Sequence, residues 1–352
     1  VSCRINETTI EEVKAVILEN DHLKITVLVS KGADIYEFIY KPKNIDVLWK
    51  APWGIKNPRG GIATAENSQV AWMEHYEGGW QEIFPSGGGP CQYKGVEMNF
   101  HGELSTLPWK YKITANSEKE ISVLFTVTTF RSPFTVERVL TLKENDPRLY
   151  IHEKVTNHSE EEMDYSWGHH PALGAPFLDE GVILDVPAEW FESQNRENES
   201  TRLPQKTRFQ WPQAQSRSGE TIDLSVLPSK QNRSADLAFL GGLEEGWYGV
   251  TNPKLGFGFG MVWPKGIFPY LWFWQELRGS SGYPWYSSNY VMALEPFTSY
   301  DESGLAHCVE NGTARKLAPG ESIEVDLIAL CFESSNGVKR IDHKGDITPK
   351  DN

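Results

Sequence analysis

The feature that most constrains this chain is a recurring alternation of apolar and polar residues in short runs, each closed by a polar turn. Leu23-Lys24-Ile25-Thr26-Val27-Leu28-Val29 meets the turn Lys31-Gly32-Ala33-Asp34, and Ile35-Tyr36-Glu37-Phe38-Ile39-Tyr40 follows. Successive side chains of a strand face opposite ways, so this pattern predicts a hairpin. Comparable runs cover residues 121–128, 134–142, 149–155 and 323–330. Lys143-Glu144-Asn145-Asp146-Pro147 separates the second from the third, and Leu317-Ala318-Pro319-Gly320-Glu321 precedes the last. Both are clusters of turn-forming residues. Helical periodicity is nearly missing, and no linker, repeat or composition break divides the chain. The expectation is an all-β protein, one large antiparallel β-sandwich domain over residues 1–352.

Charge and composition narrow the function classes. A formal net charge of −14 would repel nucleic-acid phosphates and an anionic membrane surface alike, so neither is an expected partner. No apolar run approaches a membrane span, and no basic flank with an apolar core opens the chain. Cys3, Cys91, Cys308 and Cys331 are widely spaced, as expected of reduced thiols in a cytoplasmic protein.

The stretch from Ala51 to Pro108 breaks the strand pattern and is rich in Gly, Pro and Trp. Its aromatics argue against disorder, and Gly78-Gly79-Trp80 through Gly87-Gly88-Gly89 reads either as an ordered cover near His101 or as a structural crossover. Aromatic residues make up 12% of the chain and gather in two places. Trp72, Trp80 and Trp109 surround the His101 region, and Trp272, Trp274, Trp285 and Tyr286 precede Glu295. Such rings fill β-sheet cores, and they also stack on the C–H faces of sugars.

Chemistry is suggested by Trp167-Gly168-His169-His170-Pro171, with His101 and Glu295 as further candidates. Histidine titrates near neutral pH, and a carboxylate supplies the complementary acid or base. There is no Gly-x-Ser-x-Gly elbow and no phosphate-binding loop. Gly256-Phe257-Gly258-Phe259-Gly260 lies in an apparent strand, which disfavours a dinucleotide site. Adjacent histidines on an extended chain point apart, so His169 and His170 do not make a natural metal pair.

Taken in order, Leu28-Val29-Ser30-Lys31-Gly32-Ala33 with Tyr36, then Phe100-His101-Gly102, His170-Pro171-Ala172-Leu173-Gly174, Leu294-Glu295-Pro296 and the closing Leu317–Glu321 segment resemble the aldose 1-epimerase (galactose mutarotase-like) superfamily. The similarity runs from about Leu18 to Phe332. It implies a large antiparallel supersandwich and a cofactor-free isomerase that interconverts the anomers of a small sugar. By that resemblance Glu295 is the general base, His170 the general acid and His101 the histidine beside the ring oxygen. Arg59, His169, Asp236, Gln275 and Glu276 are then the candidate substrate-binding residues.

The chain also departs from the family. The asparagine-arginine pair usual before the first histidine is replaced by Asn57-Pro58-Arg59-Gly60-Gly61, and the histidine block continues as Ala172-Leu173-Gly174-Ala175. These changes imply a divergent member with its own sugar. The alternatives are a hexose-6-phosphate 1-epimerase, with Arg59, Lys265 and Arg278 as phosphate ligands, and a non-catalytic carbohydrate-binding protein. A glycoside hydrolase pairing Glu295 with Glu276 or Glu82 is more remote. The expected assembly is a monomer or homodimer.

Overall fold

The computed structural model describes residues 2–57, 65–196 and 198–350. The alternating runs pair as predicted. Leu23–Leu28 joins Asp34–Tyr40 antiparallel, and Glu120–Thr128, Phe134–Lys143 and Arg148–Asn157 form consecutive antiparallel neighbours. Ser322–Glu333 closes against Arg148–Asn157 rather than continuing in chain order, with Ile151 opposite Leu327.

Among the described residues, two large antiparallel sheets dominate, one of twelve strands and one of eight. The larger begins with the hairpin Arg4–Ile10 and Val13–Glu19. Its centre runs through Trp80–Ile83, Gly168–Gly174, Tyr290–Phe297, Tyr270–Leu277 and Ser234–Gly241. These strands are buried on both faces, so they read as nearly continuous apolar sequence instead of clean alternation.

One face of the twelve-stranded sheet packs on the eight-stranded sheet. Leu173, Phe273 and Leu294 meet Phe125, Leu140, Phe259 and Leu327 in a single apolar interior. The opposite face carries a second cluster: Ala172, Phe239, Trp272 and Phe297 lie under Trp49, Trp72, Met73 and Tyr76. Apart from Trp49, this cover comes from the irregular segment singled out in the sequence. It includes a short helix, Ser68–Glu74, whose Asn67 side chain accepts from the Val70 N–H at 3.0 Å.

Phe257–Gly260 of the glycine motif lies in the strand Phe257–Val262, with Gly256 in the turn before it. A Cβ at Gly258 would stand 2.3 Å from the Phe332 ring, so this glycine makes room for an aromatic neighbour rather than for a nucleotide.

Candidate active site

Strand register assembles the centre of the site. Gly168 pairs with Phe297 and Ala172 with Ala293, and that unbroken spacing sets His170 opposite Glu295. Pro171 and Pro296 remove two backbone donors at this point, and no ladder pair forms between the two flanking ones. Glu295 in turn lies opposite Trp272, and Ala293 opposite Trp274. His170, Glu295, Trp272 and Trp274 therefore share one face of the sheet and line one cavity of about 560 Å³.

The His170 Nε2 atom lies 3.7 Å from Glu295 Oε1. His101 completes the group, its ring centroid 5.8 Å from that of His170. Its backbone is left-handed, with φ at 57°, and two bonds to Gly88 hold it there. The His101 N–H donates to the Gly88 carbonyl at 2.9 Å, and the Gly88 N–H donates to His101 Nδ1 at 3.1 Å. With Nδ1 accepting, the neutral ring carries its proton on Nε2. Gly88 itself permits no side chain, because a Cβ would meet the Glu302 carbonyl oxygen at 2.1 Å.

Burial sets the electrostatics. It pushes the Glu295 carboxyl well above the usual carboxylate range and draws His170 down to about 4. His101 is also held well below its ordinary value, by burial first and by His170 second. Both shifts favour the proton on Glu295 over His170, the reverse of the arrangement that the resemblance implies.

Aromatic rings enclose the group. Trp72 lies 4.8 Å from the His101 ring and Tyr76 lies 5.6 Å from the His170 ring, both edge-on, with Trp274 5.5 Å from His170. The Tyr76 hydroxyl, His170 Nδ1 and Glu295 Oε2 are buried without a hydrogen-bond partner. Three polar atoms left open on one wall call for a polar ligand.

The remaining candidates divide. His169 faces the inter-sheet interior, where its Nε2 is 3.1 Å from Glu153 and its Nδ1 accepts from Trp80 Nε1 at 3.3 Å. It is absent from the cavity wall, so the expected sugar contact is corrected: strand alternation turns it away from His170. Asp236, Gln275 and Glu276 do line the cavity, but they are already engaged. Asp236 accepts from Thr201 Oγ1, the Arg202 N–H and Arg202 Nε at 2.7–2.8 Å, and Arg202 also donates to Gln275 Oε1 at 3.1 Å. Glu276 Oε1 accepts the N–H groups of Gly279 and Ser280, bracing the turn after its strand.

Arg59 lies outside the described residues. Glu82 faces the interior too, 3.3 Å from Arg138, which removes it as a glycosidase partner for Glu295. Lys265 donates to the carbonyls of Leu243 and Glu244, and the Arg278 guanidinium lies 5.8 Å from the Tyr290 ring centroid. Neither lines the cavity.

Sequence reading missed Tyr76, Arg202, Gln194 and Glu302. None sits in a recognisable motif. Only the aromatic cluster around Trp72 signalled this part of the wall.

The fold has known relatives. A candidate aldose 1-epimerase from Klebsiella pneumoniae superposes with a TM-score of 0.72 at 19% identity, over 94% of this chain and 84% of that one. A galactose mutarotase-like protein from Clostridium acetobutylicum gives 0.65 at 15% identity, over 94% and 99%. Another from Lactobacillus casei gives 0.60 at 17%, over 90% and 100%. At these identities the likeness shows the galactose mutarotase-like sandwich expected from the sequence. No curated protein matches by sequence. One family model, described as Domain of unknown function (DUF4432), matches residues 11–329, nearly the whole sandwich and every residue of the site just built. The chain belongs to that family.

Proposed function

We propose that this protein is an aldose 1-epimerase-type isomerase that interconverts the α and β anomers of a small sugar by acid–base ring opening and reclosure. The observation that carries this reading is the His170–Glu295 pair, 3.7 Å apart and opposite one another in a cavity walled by indole rings.

Ring opening removes the proton of the anomeric hydroxyl and delivers one to the ring oxygen. Both oxygens are bonded to the same carbon, so the acid and the base must be close neighbours. The His170–Glu295 pair meets that requirement and holds one proton between its two members. Whichever holds the proton is the acid, and the other is the base. Burial favours the proton on Glu295, whereas the resemblance assigns it to His170. These are two tautomers of one pair with the same number of protons. Reclosure reverses the roles of the two groups, so the complete cycle requires each to donate and to accept. His101, with its proton on Nε2, supplies a donor to the ring-oxygen side. The indole faces of Trp72 and Trp274 fit the apolar C–H faces of a pyranose.

A hexose-6-phosphate substrate would need cations for the phosphate. Lys265 and Arg278 do not line the cavity, Arg59 lies outside the described residues, and Arg196 is the arginine on the wall among the described residues. The reading proposed here is the unphosphorylated one.

The test is anomer exchange followed by NMR or polarimetry on freshly dissolved α-anomers. Wild-type protein is expected to accelerate exchange of at least one sugar. If no sugar equilibrates faster with wild type than with Glu295→Gln, the proposal fails.

A further inference from the structure

The cavity has a second set of open polar groups, on the His101 side. Glu302 is 5% exposed, and neither of its carboxylate oxygens has a hydrogen-bond partner. Gln194 is 7% exposed, and its Nε2 is likewise unpartnered. Both line the cavity.

Glu302 is fixed in place through its backbone. Its carbonyl accepts from the Gly89 N–H at 2.7 Å, next to the Gly88 that holds His101, and Ser303 bridges to Gly88. The neighbouring Leu305 N–H donates to Ser86 Oγ at 3.0 Å. The triple glycine Gly87-Gly88-Gly89 thus connects Glu302 directly to the histidine of the proposed centre. The segment carrying Gln194 reaches the same place, since Arg196 Nη2 lies 3.2 Å from where a Gly89 Cβ would be.

We infer that Glu302 and Gln194 are the specificity-determining residues of the site and that they select an uncharged aldose by its hydroxyl groups. This inference rests on the proposed sugar-binding role of the cavity.

The argument is one of hydrogen-bond complementarity. Glu302 offers acceptors, and Gln194 Nε2 offers a donor. A sugar hydroxyl both donates and accepts, so hydroxyls satisfy the two residues together. A phosphate or carboxylate only accepts and would set a second negative charge against Glu302. An ammonium group only donates and would leave Gln194 Nε2 buried without a partner, at a cost of desolvation.

The charges around the cavity point the same way. Glu199, Asp236, Glu276, Glu295 and Glu302 line it, against Arg196 among the described residues. Arg202 is bound to Asp236, and Arg196 is exposed at the rim. Burial raises the Glu302 carboxyl above its usual range, and the nearby Arg196 only partly offsets this.

The experiment compares a neutral hexose with its 6-phosphate, its 6-carboxylate and its 2-amino analogue, using wild type, Glu302→Leu, Glu302→Gln and Glu295→Gln. Anomer exchange by NMR gives KM and kcat, and quenching of the cavity tryptophans gives affinity without catalysis. Wild type is expected to prefer the neutral hexose over each charged analogue by about tenfold or more, a step of about 1.4 kcal/mol. Glu302→Leu is expected to raise KM for the neutral hexose about tenfold and to hold kcat within a few-fold. Glu302→Gln, which keeps an acceptor and removes the charge, is expected to narrow the neutral-to-anion preference. It also guards against misfolding of the leucine variant.

If Glu302→Leu and Glu302→Gln keep wild-type KM and ranking while Glu295→Gln abolishes exchange, the inference is overturned and the proposed function stands. If no sugar is exchanged but the neutral hexose binds and Glu302→Leu weakens it, the inference holds without the enzyme. Tighter binding of the phosphate, or no sugar binding at all, overturns it.

Discussion

His169 and His170 are chain neighbours with the same side chain, yet the sheet gives them opposite chemistry. His170 faces the cavity, where its Nδ1, the Tyr76 hydroxyl and Glu295 Oε2 have no hydrogen-bond partner. His169 faces the interior between the sheets, within a set of buried groups that are paired only in part: its Nε2, both Glu153 oxygens and Arg138 Nε also lack a hydrogen-bond partner. There Arg138 pairs with Glu82 at 3.3 Å and also donates to the Ala33 carbonyl, and Trp167 Nε1 donates to Glu82 at 2.9 Å. Trp80 donates to His169, which lies beside Glu153. Burial lowers both imidazoles to about 4. A depressed histidine pKa therefore does not by itself identify the functional residue. What separates the two is access: unpartnered polar atoms surround both, but only those around His170 line the cavity.

The contrast predicts different phenotypes on the two faces. The largest effect is expected on the cavity face. Removing a positioned acid or base costs about 10²–10⁴-fold in rate. His170→Ala and Glu295→Gln should each reduce anomer exchange by that amount and leave the unfolding midpoint close to wild type, as measured by NMR exchange and urea melts. An unchanged rate in either variant would break the comparison from the catalytic side.

Next in size is the interior face. Above about pH 8, where Glu82 is ionised, Arg138→Met leaves that carboxylate without its cation, and breaking a buried pair costs about 3–5 kcal/mol. Urea unfolding should show this loss, with kcat preserved in the molecules that remain folded. A stable Arg138→Met protein with impaired exchange would mean that the interior groups serve the chemistry instead.

A smaller, pH-dependent effect follows from the same groups. Burial raises Glu82 to about 8 and Glu153 to about 7, from an ordinary value of 4.5. A carboxyl that binds its proton more tightly in the folded state stabilises the fold at low pH and loses that contribution as pH rises through the folded value. Between pH 7.5 and 8.5 the buried histidines are mostly neutral, folded or unfolded, whereas nearer pH 6.5 the unfolded ones still bind protons and oppose the decline. Thermal stability should therefore decline over the upper interval, by at most about 1.4 kcal/mol per pH unit for each carboxyl. Glu82→Gln should flatten the decline. A wild-type melting temperature that is constant or rising from pH 7.5 to 8.5 would contradict this electrostatic picture.

On the cavity side, the acid limb of kcat/KM should fall near pH 4, where His170 takes a second proton and the pair loses its base. A limb near 6.5 would show that His170 keeps its ordinary pKa in the working site. The smallest effect is expected from Trp274→Phe, which retains an aromatic face and should raise KM only a few-fold, within the 0.5–1.5 kcal/mol typical of ring contacts.

The sequence revealed these two faces unevenly. The hairpins and the sandwich were legible because strand alternation and turn residues are local signals, as in Leu23–Leu28 with Asp34–Tyr40. The convergence of His101, His170 and Glu295 was legible only through the order of short motifs, since each comes from a distant part of the chain. Glu302, Gln194 and Arg202 were not legible at all. They sit outside motifs, and their importance arises from which of their polar atoms the fold pairs and which it leaves open. Asp236 shows the converse. As an isolated aspartate it resembled a sugar ligand, whereas in the fold Arg202 and Thr201 take up its oxygens.

The most direct test of the central claim is anomer exchange by NMR with wild type, His170→Ala and His169→Ala on one panel of neutral α-aldoses, normalised to folded protein. The account predicts acceleration by wild type, loss of about 10² or more in His170→Ala, and a rate within a few-fold of wild type in His169→Ala. Equal loss in the two histidine variants, or no acceleration by wild type on any sugar, would contradict it.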